Sequence, residues 1–268
     1  MAIITGAMTE NLPSISIVTP SLNQGKFIEA TIQSVLEQSY PSLEYIVMDG
    51  GSTDGTLEIL EKYDASIRWF SEKDNGQTNA INKGLKLANG AVLAYLNADD
   101  ILLPGALRLV AERFLSHPEA GWITGRSRII DEQGNAIRSF ISLYKNALLS
   151  TRSRRLLLVT NYISQPATFW RRTLLDQCGL LNESFDYVMD YEYWLRLWKL
   201  TPPHIIHREL AGFRIQKMSK TTTTGHLEDY IEEEKRILKQ YAPAGIWKNL
   251  HDLHRYGMTK VYSWINRE

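Results

Sequence analysis

Residues 14–49 read "SISIVTPSLNQGKFIEATIQSVLEQSYPSLEYIVMD", and this stretch decides the class of fold. An apolar run at 15–18 precedes apolar residues that recur at helical spacing from Phe27 to Leu36, and a second apolar run follows at 43–48. Short apolar runs predict buried strands, whereas the spacing between them predicts an amphipathic helix. The stretch therefore predicts one strand–helix–strand unit.

The same alternation continues for about fifty residues, with further strand-like runs at 67–70 and 91–96. Alternating strands and helices are typical of an α/β fold, and we predict a doubly wound, mainly parallel central sheet with helices on both faces. Asn89-Gly90 is expected to close the last of these helices through a left-handed glycine. Later segments predict a hairpin over 128–138 and two closing helices that form a C-terminal appendage.

Composition narrows the classes of function. The 268 residues are 44% hydrophobic, which is enough for a substantial core, and thirty basic side chains balance thirty acidic ones. A net charge of zero argues against nucleic acid as the main partner. With a single cysteine, no secretory signal pattern and no apolar run near ~18 residues, the sequence predicts a cytoplasmic protein.

Polar residues follow each of the first four predicted strands. Because ligands of parallel α/β sheets bind outside the carboxyl ends of the strands, we favour a ligand site over ordinary polar loops. The first turn, "TPSLNQGK", lacks the glycine patterns of dinucleotide and P-loop sites. We call these strand ends the rim: 19–21, 49, 72–74 and 97–100.

The last part of the rim carries oxygen donors. Asn97 and Asp99 offer ligands that suit Mg²⁺ or Mn²⁺, and such a cation would join these groups to a phosphate. Asp99 and Asp100 also lie just before Pro104, where a helix is predicted to begin. One of the two could therefore serve only as an N-cap or as a partner of the helix dipole.

Several motifs together resemble the family 2 glycosyltransferases, which have the GT-A fold. These are "SIVTPSLNQGK", "MDGGSTDGT", "EKDNGQTNAINKG", "AYLNADDILLPG" and "MDYEYWLRL", in the family's order between about Ser14 and Thr221. The resemblance implies a GT-A domain over 14–225, with a nucleotide-binding half at 14–100 and an acceptor-binding half at 101–225. Residues 1–13 would form an N-terminal extension and residues 226–268 the C-terminal appendage.

The resemblance also implies roles for individual residues. Asn97–Asp99 falls on the DxD motif, so Asp99 is expected to bind Mn²⁺ or Mg²⁺, and Asp100 to face the sugar or acceptor. Gln216 stands where the family often has histidine, which leaves its part in metal binding open. A lid over the donor is expected from Lys217, Ser219 and Lys220. The expected donor-binding residues are Thr19, Pro20, Ser21, Asp49, Asn79, Asn82, Asn97, Ala98 and Asp100, with Asn79 replacing a usual aspartate.

Asp190 matches the acid that serves inverting members of the family as general base. In that role it would take a proton from the acceptor hydroxyl during a single displacement. Asp186 and Glu192 are competing acids, although Glu192 would lie on a different face of the helix from Asp190. A helix cap is the structural alternative for Asp190.

The implied donor is a nucleoside diphosphate sugar, with UDP-sugar favoured, and the implied acceptor is a glycan or glycolipid of a surface polysaccharide pathway. The QxxRW signature and membrane helices of processive synthases are absent, which favours addition of a single sugar. A nucleotidyltransferase and a non-catalytic sugar-nucleotide binding module remain alternatives. The apolar stripe from Ile246 to Ile265 is expected to pack on the catalytic domain, with dimerisation or peripheral contact with the inner face of the membrane as alternatives.

Overall fold

The computed structural model describes residues 12–216, 227–242 and 246–265. Its first part confirms the predicted alternation of strands and helices up to residue 95. The elements are β1 (Ile15–Ser21), α1 (Ile28–Leu36), β2 (Leu43–Asp49), α2 (Thr56–Lys62), β3 (Arg68–Ser71), α3 (Gln77–Leu87) and β4 (Val92–Tyr95).

The second part adds strands of very different lengths and more helices. Its third and fourth elements form the predicted hairpin. In chain order the elements are β5 (Ile101–Leu102), α4 (Ala106–Ser116), β6 (Trp122–Ile130), β7 (Ala136–Ile137), α5 (Ser139–Thr151), α6 (Arg154–Leu157), β8 (Thr168–Arg171), α7 (Arg172–Cys178), α8 (Met189–Leu200), β9 (His204–Arg214), α9 (Leu227–Tyr241) and α10 (Ile246–Ile265).

All nine strands belong to one sheet, in the order β3-β2-β1-β4-β8-β6-β9-β5, with β7 paired to β6. Strands β1 to β4 pair in parallel, as do β6 and β9. Strand β8 runs antiparallel to both β4 and β6 and so joins the two halves, while β5 runs antiparallel to β9. The α/β class is confirmed; parallel pairing dominates the first half, and the second half is mixed.

Helices cover both faces of the sheet. Val18 and Ile46 pack on one face in a cluster with residues of α3, α8 and α9. Their neighbours Ile17 and Val47 pack on the other face with residues of α1 and α4. Because alternate side chains of a strand point to opposite faces, helices on both sides explain why all seven residues of β1 are buried, and why β2 is buried from Tyr45 onward.

Gly90 does not close α3 through a left-handed conformation, so that prediction was wrong. Helix α3 ends at Leu87, its C-cap Ala88 is extended, and Gly90 does not have a positive φ. A Cβ on Gly90 would lie 2.5 Å from the Ser16 backbone nitrogen, and the Gly90 N–H donates to the Ser16 hydroxyl at 2.7 Å. Glycine is needed here because two backbone segments approach closely.

The C-terminal helices differ in how they meet the rest of the molecule. Helix α9 contributes Ile237 and Tyr241 to the core cluster. Among the residues of α10 whose burial the structure describes, His251 is buried, whereas Ile246 and Leu253 are 63% and 66% exposed. The described part of the apolar stripe therefore does not pack on the domain as expected. Within the described ranges, no helix has both the length and the apolarity needed to cross a bilayer.

Candidate active site

The carboxyl ends of β1 and β2 meet at one edge of the sheet, since Ser21 pairs with Asp49 in the parallel register. The Thr19 hydroxyl shares a hydrogen bond of 3.0 Å with the Tyr45 hydroxyl. The next residue of β1, Pro20, is also buried. The Ser21 hydroxyl is buried and lacks a hydrogen-bond partner in the described part of the chain. Because buried hydroxyls are nearly always bonded, Ser21 is a candidate for ligand contact.

Asp49 organises the loop that follows β2. Its carboxylate accepts hydrogen bonds from the backbone nitrogens of Gly51 (3.0 Å) and Ser52 (2.9 Å), and from the Ser71 hydroxyl at 2.7 Å. The Ser52 hydroxyl donates to its other oxygen. Gly51 has φ +88°, a left-handed conformation that glycine tolerates. Asp49 therefore fixes the conformation of the loop through these hydrogen bonds. A direct contact of Asp49 with a nucleotide stays a prediction.

The segment after β4 brings Asn97, Asp99 and Gln216 together. The Asn97 amide oxygen accepts from Gln77 Nε2 at 2.8 Å, and Asp99 Oδ2 accepts from Gln216 Nε2 at 2.8 Å. Between them Ala98 is buried, and its carbonyl accepts from the Thr31 hydroxyl at 2.9 Å. The sequence did not predict a role for Gln77, because its position at the start of α3 does not indicate that its side chain contacts Asn97.

Asp100 is placed differently from what we expected. Its side chain has no exposed surface, accepts a hydrogen bond from the Arg214 backbone nitrogen at 2.8 Å, and meets the Asn97 amide at 3.4 Å. Burial raises the pKa of the Asp100 carboxyl well above its usual range, and the charge of Asp99 raises it further. The carboxyl ties β5 to β9, so contact with a sugar stays a prediction that requires it to leave this position.

Arg214 connects the rim to the second half of the molecule. It is 4% exposed, and its guanidinium donates to the carbonyl oxygens of Asp99 (2.7 Å), Asp131 (2.8 Å) and Glu132 (2.9 Å). A buried guanidinium needs such acceptors, because leaving its donors unpaired is costly. The sequence does contain a signal for such a role, since Arg214 is the charged residue in the otherwise apolar stretch "LAGFRI".

The oxygen donors at this point fit a hard divalent cation. Asp99 supplies one carboxylate, whose Oδ2 accepts a hydrogen bond from the Gln216 side-chain amide, and Asn97 supplies an amide oxygen that accepts from Gln77. Mg²⁺ characteristically takes only one or two protein carboxylates and completes its shell with water and substrate phosphates. In the described ranges no group of three or more His, Cys, Asp or Glu residues could hold a metal by itself. The residues present therefore suit a cation shared with a phosphate.

Asn79 and Asn82 anchor α3 to a neighbouring loop. Asn79 donates to the Glu183 carboxylate at 3.0 Å, and Asn82 donates to the same carboxylate at 2.8 Å and to the Leu181 carbonyl at 2.9 Å. These bonds lower the pKa of Glu183. The donor contacts expected of both asparagines stay predictions, since the structure gives their amides a partner elsewhere.

Asp190 lies in the first turn of α8 and is half-buried. Its carboxylate accepts from the Tyr191 backbone nitrogen at 2.6 Å and from Asn161 Nδ2 at 3.2 Å. Burial raises the pKa of Asp190, while the Tyr191 N–H, the Lys145 charge and Asn161 lower it. A carboxyl with a raised pKa beside a cation has the properties of a general base.

Tyr95 links Asp190 to the rim. Its hydroxyl is buried and finds no hydrogen-bond partner among the described residues. Burial raises the pKa of Tyr95 well above its usual value, and the charges of Asp190 and Asp100 both raise it further. Both carboxylates are near enough to the Tyr95 phenol for their charges to act on it, so the end of β4 lies near the start of α8.

The competing acids have other partners. Glu192 is 1% exposed and binds Arg196 at 2.8 Å. Asp186 lies in the exposed turn before α8, and its backbone nitrogen donates to Glu233. Among the acids near α8, Asp190 is therefore the one placed toward Tyr95.

Glu233 of α9 holds the turn that presents Asp190. Its buried carboxylate accepts from the backbone nitrogens of Asp186 (2.8 Å), Tyr187 (2.8 Å) and Val188 (3.2 Å). Helix α8 has no side-chain cap from its own N-cap residue, so a carboxylate from α9 satisfies the free N–H groups there. No local sequence pattern indicates this contact, because its two segments are far apart in the chain.

The expected lid residues Lys217, Ser219 and Lys220 lie outside the described residues. The lid therefore stays a prediction.

Residues 16–179, more than half of the chain, match the family model described as "Glycosyl transferase family 2". The chain belongs to glycosyl transferase family 2. It is 26% identical over 273 residues to chondroitin synthase from Escherichia coli, covering 96% of this chain and 38% of that protein. It is 33% identical over 192 residues to the putative teichuronic acid biosynthesis glycosyltransferase TuaG of Bacillus subtilis, covering 66% of this chain and 76% of that protein. The chain thus spans well under half of the chondroitin synthase.

Solved structures confirm the GT-A type of fold. TarS from S. aureus in complex with UDP-GlcNAc superposes with a TM-score of 0.66 at 17% identity, covering 88% of this chain and 69% of that one. The mannosyltransferase PcManGT from Pyrobaculum calidifontis, in complex with GDP-Man and Mn²⁺, gives a TM-score of 0.65 at 16% identity, with coverages of 88% and 67%. At these identities the likeness concerns the fold alone.

Proposed function

We propose that this glycosyltransferase moves a single sugar from a nucleoside diphosphate sugar to an acceptor hydroxyl, with inversion and with the help of a divalent cation. The observation that carries the proposal is the Asp190 carboxylate, which the Tyr191 N–H and Asn161 hold in place near the unpartnered Tyr95 hydroxyl at the end of β4. A base on one side and diphosphate-binding groups on the other are the two parts that a direct displacement needs.

In the proposed reaction Asp190 accepts the proton of the acceptor hydroxyl. The acceptor oxygen forms its bond to the anomeric carbon while the bond from that carbon to the donor diphosphate breaks, so the configuration inverts. The Tyr191 N–H and Asn161 fix the carboxylate, and the Lys145 charge favours its ionised form. These contacts support a base that is oriented before the substrate arrives.

The donor nucleotide is assigned to the edge formed by Thr19, Pro20, Ser21 and the Asp49 loop. The orphan Ser21 hydroxyl supports a ligand at this edge. UDP is the favoured nucleotide, because the similar fold of TarS carries UDP-GlcNAc. Asn97 is assigned to the ribose or the cation.

Asp99 would hold Mn²⁺ or Mg²⁺, with Asn97 and Gln216 as neighbouring oxygen donors. When bound, such a cation neutralises charge on the diphosphate leaving group. The Mn²⁺ in the mannosyltransferase complex supports the use of a divalent ion.

The proposed acceptor is a glycan or glycolipid in the assembly of a surface polysaccharide, as the names of the chondroitin synthase and the teichuronic acid glycosyltransferase suggest. We further propose a cytoplasmic location with peripheral contact at the inner face of the membrane. The exposed Ile246, Leu250 and Leu253 on one stripe of α10 support this contact, because apolar helix faces bind the bilayer interface.

The test is release of nucleoside diphosphate from common sugar nucleotides in the presence of Mn²⁺, beginning with UDP-GlcNAc. We expect slow release with water as acceptor, faster release with glycan or glycolipid acceptors, and loss on addition of EDTA. Release of pyrophosphate instead would indicate a nucleotidyltransferase, and donor binding without turnover would indicate a binding module. Absence of release from every donor contradicts the proposal.

A further inference from the structure

A second concave surface lies outside the site described above, on the acceptor-binding half. It has a volume of about 670 Å³ and opens between β6, β9 and α5. We call it the arginine groove, after Arg126 and Arg128 of β6 and Arg208 of β9; Ser139 and Asn146 of α5 also border it. None of these residues has a part in the proposed sugar transfer.

The groove arises from an irregularity in the sheet. Gly125 pairs with Ile206, but the next residue, Arg126, pairs with Glu209. Residues His207 and Arg208 therefore bulge out of the ladder. A bulge re-aims side chains that regular pairing would place elsewhere, and such bulges are common beside binding sites. Here the bulge adds Arg208 to the two arginines of β6.

The groove has more positive charge than its own residues neutralise. Arg128 binds the Glu209 carboxylate, with Nε at 2.8 Å. Arg126 and Arg208 have no carboxylate partner in the part of the chain that the structure describes. The Nε of Arg126 is buried and lacks any hydrogen-bond acceptor there. A buried guanidinium donor without an acceptor is costly, which favours a ligand that supplies oxygen atoms.

The first turn of α5 adds an independent preference for anions. This helix is thirteen residues long and has no side-chain cap, and its first-turn residues Ser139 and Ser142 line the groove. The N–H groups at a helix N-terminus carry partial positive charge and bind phosphate. Guanidinium groups and a helix N-terminus thus favour the same ligand chemistry.

Helix α5 also connects the groove to the proposed base. Asn146 borders the groove, and the preceding residue, Lys145, is the one whose charge acts on Asp190. Phe140 and Leu143 of the same helix are 49% and 71% exposed, so apolar surface adjoins the arginines. A ligand that combines a phosphate with an apolar chain matches this pairing of surfaces.

From these contacts we propose that the arginine groove binds a phosphate or diphosphate group of the acceptor, while the acceptor hydroxyl reaches Asp190. The assignment of the ligand as an acceptor rests on the proposed function. The binding of phosphate does not, and it can be measured separately.

The binding experiment is calorimetric titration of the whole chain with inorganic phosphate in metal-free buffer. We expect R126Q/R208Q to weaken binding about ten-fold or more, since charge-assisted bonds to guanidinium are lost. N146D should also weaken it, by placing a carboxylate at the border while leaving the arginines intact. R108Q is the matched control, because Arg108 is on α4 in an exposed pair with Glu112. Phosphate binding that is equal in all variants, or no stronger than that of acetate, overturns the proposal.

The kinetic experiment identifies the source of the phosphate. Two acceptors are compared, a sugar linked to an alkyl diphosphate and the same sugar as a neutral alkyl glycoside. We expect R126Q/R208Q to raise KM about ten-fold for the first acceptor alone, with hydrolysis of UDP-GlcNAc unchanged. Vesicles of phosphatidylcholine and phosphatidylglycerol form a third arm. Groove-dependent binding of these vesicles, with KM unchanged for both acceptors, would overturn the acceptor assignment. If the wild-type protein turned over no donor, the proposed function would fail while the phosphate titration still decided whether the groove is a site.

Discussion

Asp49 and Asp190 belong to one candidate site, but they are held in contrasting ways. Asp49 is fixed by Gly51, Ser52 and Ser71, all within twenty-two residues of it in the chain. Asp190 depends on Asn161 and Lys145 from other segments and, through its turn, on Glu233 of α9. The proposed nucleotide edge is thus largely built by local loops, whereas the proposed base is positioned by tertiary contacts. Changes in the two regions should therefore have different consequences.

The largest effect is expected for Asp190→Asn, which removes the proposed base and keeps the shape of the side chain. Transfer should fall about 10³-fold, because a positioned base contributes between 10² and 10⁴. Affinity for UDP should remain within about two-fold, since the nucleotide edge is separate. Initial rates and calorimetry measure both quantities, with Asp176→Asn on the exposed face of α7 as the control. Retention of more than about a tenth of the activity would show that Asp190 is not the base.

Next in size is the loss of Arg214, the residue that joins Asp99 of the rim to the loop after β6. Arg214→Met leaves three half-buried carbonyl oxygens without their donor and removes a buried guanidinium, so the free energy of unfolding should fall by about 3 kcal/mol. Denaturant unfolding measures this change. Arg108→Met, which breaks only an exposed pair on α4, should change stability by less than about 1 kcal/mol. Equal effects of the two substitutions would contradict the linking role of Arg214.

Glu233→Gln should have a smaller effect, and chiefly on kcat. The amide keeps one acceptor oxygen but loses the charge at the start of α8, so the turn that carries Asp190 should be held less firmly. We expect kcat to fall about ten-fold with little change in the KM for the donor. Asp49→Asn is the comparison, because it should raise the donor KM with a smaller change in kcat. The reverse pattern would mean that the two regions are not separable.

The smallest effect concerns pH. The Lys145 charge lowers the pKa of Asp190, in opposition to burial, which raises it. Lys145→Met removes the lowering contribution, so the pKa of Asp190 should rise and the acid limb of kcat/KM should move to higher pH. Above this limb the rate should approach that of the wild type. An acid limb that stays in place, or moves to lower pH, would separate Lys145 from the base.

Much of the fold could be predicted from the sequence because its signals are local. Apolar runs and helical periodicity between residues 15 and 95 depend on near neighbours, and the strands and helices there are as predicted. Gly90 shows the limit, since glycine is consistent with both a left-handed cap and a close backbone contact. The stripe on α10 shows another limit. Its apolar spacing predicts a helix, but it does not say that His251 faces inward and Leu253 outward.

The sequence by itself determined the α/β class, the edge of the sheet where polar residues collect, and the family, because these follow from spacing along the chain. Tertiary structure alone decided that Asp100 is buried on β9, that Arg214 joins the halves, and that Glu233 holds the turn before Asp190. It also decided that Arg126 and Arg208 border one groove, because β9 bulges beside β6. Each of these contacts joins residues far apart in sequence, and its energy depends on burial and on partners that no local pattern records.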